Sequence, residues 1–168
     1  MQTHPFDTLT LENGAQLIFT PCPGTKDTSI EQAITTLKQA GTNMLVTLMF
    51  DDEMEKYNAL SLASKCEQQE VKWVQLPISD EAGPDQTFEQ QWQLHREHIL
   101  AVIQNKGSVA VHCKGGSGRT GLVIGLILLA YGWSGDKVIE AVQQIRPKAL
   151  KHPVQLEYFN LHVSSITN

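Results

Sequence analysis

At 168 residues, with 41% hydrophobic and 18% charged side chains, the chain has the size and composition of one compact domain with a substantial core, and not those of a disordered or low-complexity polymer. A formal net charge of −5 excludes a general nucleic-acid binder, which shows a basic balance or a basic stripe. The longest apolar stretch, Leu122 to Ala130, falls short of the roughly 18 residues a membrane span needs, and the N-terminus lacks a basic start followed by an apolar run, so a cytoplasmic chain without membrane association is expected.

Taken along the chain, Ala15 to Thr20 reads as a strand, closed by the turn formers Pro21, Pro23 and Gly24. Cys22 lies in that turn, and with Cys66 and Cys113 it forms neither a CxxC pair nor an even framework. All three are expected as reduced thiols, Cys22 and Cys66 as small apolar side chains. Ser29 and Gln32 make a capping box ahead of an apolar stripe of Ile30, Ala33, Ile34 and Leu37, which Gly41 ends. Asn43 to Leu48 reads as a buried strand. The acidic stretch Asp51 to Glu55 leads into helix-like sequence through Gln69, and Val71 to Leu76 alternates like a further strand.

Between Pro77 and Thr87 the segment PISDEAGPDQ has the composition of an exposed functional loop or a linker. A helix with Phe88, Trp92, His95, Ile99 and Ile103 on one face follows, with His95 at the core edge and Gly107 as the stop. Ser108 to Val111 is then a short apolar strand, followed by HCKGGSGRTG, a helix from about Thr120 to Tyr131, another from about Ser134 to Ile145, and a last one opened by Pro153. Strands alternating with helices imply an α/β fold, a single mostly parallel central sheet with helices on both faces, in one domain over residues 1–168.

HCKGGSGRTG sits after a strand and opens a helix, the position where parallel sheets bind ligands. Its glycines let backbone N–H groups turn into one concavity, so Lys114, Gly115, Gly116, Ser117 and Gly118 are the candidate anion cradle, with phosphate the expected guest. Five residues separate Cys113 from Arg119, enough chain to bring thiol and guanidinium to the same anion. Cys113 is the candidate nucleophile, activated by the partial positive charge around it. Arg119, with its planar fork, is the candidate for gripping the equatorial phosphoryl oxygens. Thr120 is placed to donate its hydroxyl to Cys113. His112 reads as an orienting residue, and Lys114 faces either substrate charge or solvent. Lys137, Arg146, Lys148 and Lys151 read as a basic rim or a solvated face.

The stretch Gly116-x-Gly118-x-x-Gly121, with Glu140 beyond it, also matches a dinucleotide fingerprint. Glu140 reads as helical and too little chain follows for the remaining strands. An ATP-binding loop fails because Leu122 stands where Lys belongs. A metal site from His95, His98, His112 and Cys113 has no recognised spacing, so neither metal nor cofactor is expected.

The run His112-Cys113-x5-Arg119-Thr120 resembles the signature of the protein tyrosine phosphatase superfamily, including its dual-specificity branch. The order of elements from about Leu9 to Phe159, with PCPG and PISDEAGPD, is similar to the cyclin-dependent kinase-associated phosphatase group. The resemblance implies a phosphocysteine intermediate, a phosphorylated protein substrate with a kinase among the partners, and a mobile loop whose aspartate acts as general acid. Asp80 is the preferred match, Asp85 the second and Glu81 a distant third. It also implies that Gln155, after Arg146-Pro147, positions water or else is a surface amide. Leu48-Met49 stands where several relatives place a second cysteine, so Cys22 or Cys66 would have to protect an oxidised Cys113. An inactive phospho-residue binding module and a phosphoinositide phosphatase are the alternative functions.

Overall fold

The computed structural model describes residues 3–80 and 83–167. Its strands are β1 (Asp7–Thr10), β2 (Gln16–Thr20), β3 (Thr42–Thr47), β4 (Lys72–Gln75) and β5 (Ser108–His112). They form one sheet in the order β1-β2-β5-β3-β4, with β2, β5, β3 and β4 parallel and β1 antiparallel to β2. The sheet is mostly parallel, as expected, and is mixed through the antiparallel pair at one edge.

Side chains on successive residues of a strand point to opposite faces. Leu17, Phe19, Met44, Val46, Val109 and Val111 therefore enter one core, while Ile18, Leu45 and Ala110 enter the other. The first core is covered by α4 (Gln86–Gln104), α5 (Gly118–Tyr131), α6 (Gly135–Ile145) and α7 (Pro153–Thr167). The second is covered by α1 (Ile30–Gln39), α2 (Asp51–Lys56) and α3 (Leu62–Gln68). Central β5 is buried at every residue, which is why Val109, Ala110 and Val111 are apolar in succession instead of alternating with polar residues.

The capping box forms as expected: Ser29 Oγ accepts from Gln32 N at 3.1 Å and Gln32 Oε1 accepts from Ser29 N at 3.0 Å. Two features differ from the sequence reading. β1 was no part of it, and arises because Asn13 and Gly14 close a tight turn in which Leu11 N donates to Ala15 O at 2.8 Å. The helix-like sequence from Asp51 to Gln69 is broken into α2 and α3. Asn58 adopts φ 58°, a left-handed conformation that asparagine tolerates, and Ala59 N reaches back to Met54 O at 2.8 Å to close α2. Among the described residues no helix is long and apolar enough to cross a membrane.

Candidate active site

The carboxyl ends of β2, β5 and β3 bring Thr20, His112 and Thr47 into one row, since Thr20 and Thr47 are both register partners of His112. The chain then turns through residues 113–117 and enters α5 at Gly118, with Ser117 as the N-cap. Gly116 has φ +80°, and a Cβ there would lie 2.6 to 2.8 Å from backbone atoms of Thr20 and Pro21. Only glycine fits at this turning point of the loop.

The Cys113 thiol is buried inside the turn and accepts from Gly116 N at 3.3 Å and from Thr120 Oγ1 at 3.2 Å. Behind it, the hydrogen bonds have one self-consistent direction. Trp73 Nε1 can only donate, and does so to Thr47 Oγ1 at 2.8 Å; the Thr47 proton then goes to His112 Nε2, also at 2.8 Å. The Cys113 carbonyl oxygen can only accept, so His112 Nδ1 carries the ring proton and donates to it at 3.0 Å, which leaves Nε2 of the neutral ring as the acceptor. Burial pushes the His112 pKa down to about 4, so the ring is a neutral, fixed-tautomer strut.

A trans peptide points its N–H opposite to its C=O, and no peptide bond here is cis. Holding the Cys113 carbonyl on His112 therefore turns the Lys114 N–H the other way, away from His112. The Lys114 carbonyl is held in turn by Cys22 N at 3.1 Å, which turns the Gly115 N–H away from Cys22. The carbonyls of Cys113 and Lys114 are thus both fixed by groups outside the loop, an arrangement that an anion cradle requires.

Arg119, on the first turn of α5, is 2% exposed, a burial that would penalise an unpaired cation severely. It is paired: Nη1 and Nη2 donate to Glu53 Oε1 and Oε2 at 2.8 and 2.9 Å, and Nη1 also reaches Ile78 O at 3.1 Å. Burial opposes its charge, but Glu53 and the nearby Cys113 outweigh it and raise the Arg119 pKa above the usual value. Its Nε is buried with no hydrogen-bond partner, and Asp80 Oδ1 lies 3.4 Å away, an ion-pair separation. This donor, ion-paired with Asp80 but not hydrogen-bonded, is suited to an oxyanion.

Asp80 and Asp85 differ in kind. Asp80 is 73% exposed beside Arg119, whereas Asp85 is the N-cap of α4, its Oδ1 accepting from Phe88 N at 2.9 Å. Glu81 lies outside the described residues. Gln155, near the start of α7, is buried, and the position of a Cβ on Gly118 is 3.3 Å from its Nε2, so it packs against the loop instead of facing solvent. Lys114 is exposed, 5.5 Å from the centre of the Tyr57 ring. Cys22 lies against the loop through its backbone, and burial holds its thiol at a pKa of about 12; Cys66, pushed equally high by burial, packs in the second core. Both stay protonated and poor nucleophiles at neutral pH.

Glu53 was missed as a functional residue. The acidic stretch that contains it was visible, but nothing in a separation of 66 residues signals a carboxylate facing Arg119.

A family described as "Swiss Army Knife protein, DSP-PTPase phosphatase domain" matches residues 23–155. The chain belongs to this family. The match bears out the expected membership of the dual-specificity branch of the protein tyrosine phosphatases. Tyrosine-protein phosphatase CDC14 of Saccharomyces cerevisiae is 42% identical over 55 residues, 32% of this chain and 10% of that protein. The counterpart from Emericella nidulans, cdcA, is 39% identical over 59 residues, 34% of this chain and 10% of that protein. The chain thus matches about a tenth of the length of these curated relatives. Among solved structures, kinase associated phosphatase with its catalytic-site cysteine replaced by serine has a TM-score of 0.82 at 20% identity, covering 99% of this chain and 97% of that one. Human DUSP28 has a TM-score of 0.70 at 16% identity, covering 98% and 96%. Both likenesses concern the fold, which is that of the dual-specificity phosphatases.

Proposed function

We propose that the chain hydrolyses phosphate monoesters on proteins, as a cysteine-dependent phosphatase of tyrosine or dual specificity. One observation carries the reading: the buried Cys113 thiol accepts from Gly116 N within a loop that leads into buried Arg119, whose Nε has no hydrogen-bond partner and faces Asp80 Oδ1 at 3.4 Å.

In the first step the Cys113 thiolate attacks phosphorus while Asp80 gives its proton to the leaving oxygen, producing a phosphocysteine and a free hydroxyl group on the substrate. In the second, water attacks phosphorus, the Asp80 carboxylate takes the water's proton, and Cys113 leaves as a thiolate that the Thr120 hydroxyl stabilises from 3.2 Å. Lys114 to Gly118 supply backbone donors to the phosphoryl oxygens, and Arg119 stabilises the charge spread over them in the transition state. Gln155 is positioned against the loop to orient the attacking water. Asp80 is preferred to Asp85 as the acid because Asp85 is committed to capping α4. The loop and Arg119 neutralise the phosphate, so this reading requires no metal. Free buried thiols at all three cysteines support a reducing compartment such as the cytoplasm.

The test is rapid-quench labelling with a 32P-phosphotyrosyl peptide in EDTA, comparing the native chain with Cys113→Ser and Asp80→Asn. Acid-trapped label that requires Cys113, and slow formation of that label in Asp80→Asn, are expected. Tight peptide binding with neither label nor phosphate release would make the chain a binding module. Slow label in Asp85→Asn with native behaviour in Asp80→Asn would reverse the assignment of the acid.

A further inference from the structure

Arg146 closes α6, immediately before Pro147, and sequence composition groups it with Lys137, Lys148 and Lys151 as a basic rim. The structure separates these cations. Lys148 and Lys151 are exposed, and Lys137 pairs with Glu12 at 2.8 Å above the Trp133 ring. Arg146 instead turns inward, its side chain 17% exposed, with its guanidinium 5.5 Å from the centre of the Phe19 ring.

Its donors are specifically engaged. Nε donates to Gly116 O at 2.9 Å, and Nη1 to Asp7 Oδ2 at 2.7 Å and to Ile145 O at 3.2 Å. One side chain therefore ties the end of α6 to β1, to the inner face of β2 and to the loop. The carbonyl it holds belongs to the peptide linking Gly116 to Ser117. With that oxygen drawn outward to Arg146, the Ser117 N–H of the same planar trans peptide points the opposite way, into the cradle. Gly116 is also the residue whose N–H meets Cys113 Sγ at 3.3 Å, so rotation of its backbone disturbs both the nucleophile and the next donor. His112 and the Cys22 amide fix the carbonyls of residues 113 and 114 in the same manner; Arg146 supplies the third anchor, at the left-handed turning point of the loop.

We propose that Arg146 is a positioning residue for phosphoryl transfer, holding the Gly116 carbonyl outward so that the Ser117 N–H stays aimed at the phosphoryl group. The inference rests on the phosphatase reading for its kinetic consequence, but its anion-binding consequence stands without turnover. Arginine is required because its fixed planar fork spans Gly116 and Asp7 together, whereas a lysine ammonium is a single point charge on a flexible stem.

The experiment titrates tungstate, as a phosphate-shaped probe, into the native chain, Arg146→Ala, Arg146→Lys and Asp7→Asn. Lys137→Ala on the same helix serves as the control, and kcat and KM for p-nitrophenyl phosphate and the melting temperature are measured for each. Arg146→Ala and Arg146→Lys should weaken tungstate binding about tenfold and lower kcat by on the order of tenfold to a hundredfold, as expected for misaligned donors. Asp7→Asn should do the same to a smaller extent, and Lys137→Ala should match the native chain in tungstate affinity, kcat and KM. Native tungstate affinity and kcat in Arg146→Lys would overturn the proposal, as would a loss confined to melting temperature in Arg146→Ala. If Arg146→Ala does not fold, Arg146→Lys and Asp7→Asn still decide. A native chain that binds tungstate without turning over p-nitrophenyl phosphate would defeat the phosphatase reading and leave the Arg146 comparison readable; one that does not bind tungstate would defeat both.

Discussion

Arg119 enters the candidate active site already neutralised, and the carboxylate that does this has two opposing effects on an incoming phosphate. Glu53 holds both terminal nitrogens of the guanidinium in a bidentate pair, which fixes the plane and leaves Nε without a hydrogen bond, 3.4 Å from Asp80 Oδ1. It also places a negative charge near the position an anion would take. Orientation acts on the transition state, while the charge acts on bound anion at every stage, so removing Glu53 should separate the two. Glu53→Ala is expected to lower kcat for p-nitrophenyl phosphate by on the order of tenfold to a hundredfold through loss of alignment. Its inhibition constant for inorganic phosphate should stay the same or fall. A native kcat in that variant would show that Ile78 O and the surrounding packing orient Arg119 without the carboxylate. The same pair marks a limit of sequence reading: the thiol, the guanidinium and the Thr120 hydroxyl are legible because a short loop joins them, whereas Glu53 and Arg146 reach the site only through the fold.

At the scale of elements, legibility followed how many side chains of an element carry information about burial. The stripe of α1 with its capping box, the apolar runs of β3 and β5 and the face of α4 are each written in several residues. β1 escapes notice because Leu9 alone is buried in it, the other three being half-buried or exposed, and its identity lies in the turn at Asn13 and Gly14. The break between α2 and α3 depends on one left-handed asparagine. The loop between β5 and α5 shows the same contrast between two adjacent glycines. A Cβ at Gly115 would meet nothing within 4 Å, while at Gly116 it would strike the backbone of Thr20 and Pro21 in a conformation that L residues avoid. Gly116→Ala should therefore lose at least about 1–3 kcal/mol of stability from backbone strain alone. Gly115→Ala should leave stability unchanged or raise it by up to about 1 kcal/mol, because alanine restricts the unfolded chain. Urea unfolding of the two variants checks this, and equal midpoints would mean that the loop relaxes around the added methyl.

Seen over the whole molecule, the loop stands on a buried polar row at the carboxyl ends of β2, β5 and β3, and that row contains two histidines. His4 Nε2 meets Thr20 Oγ1 at 2.6 Å, and Thr20 is the register partner of His112. Burial pushes both rings down to a pKa of about 4. Charging His112 would place a second proton on Nε2, facing the hydroxyl proton of Thr47, and would break the chain of donors that runs from Trp73 to the Cys113 carbonyl. In the unfolded chain each histidine titrates near 6.5, so between about pH 6.5 and pH 4 the unfolded state binds more protons than the folded one. The stabilisation from keeping these rings neutral is therefore complete above pH 6.5 and is lost as the pH falls towards 4. Glu89 has its own lower window. Burial raises its pKa, but hydrogen bonds from Tyr158, Gln93 and His162 prevail and hold it below the usual range, so its contribution fades only below pH 4.5. Urea unfolding free energies should fall between pH 7 and pH 5 by on the order of 1–2 kcal/mol per histidine. In His4→Gln, which retains an amide donor for Thr20 but does not titrate, the fall should shrink by about half. A flat profile in the native chain over that interval would mean that water or rearrangement lets one or both rings charge inside the fold, and the neutral strut behind Cys113 would have to be abandoned.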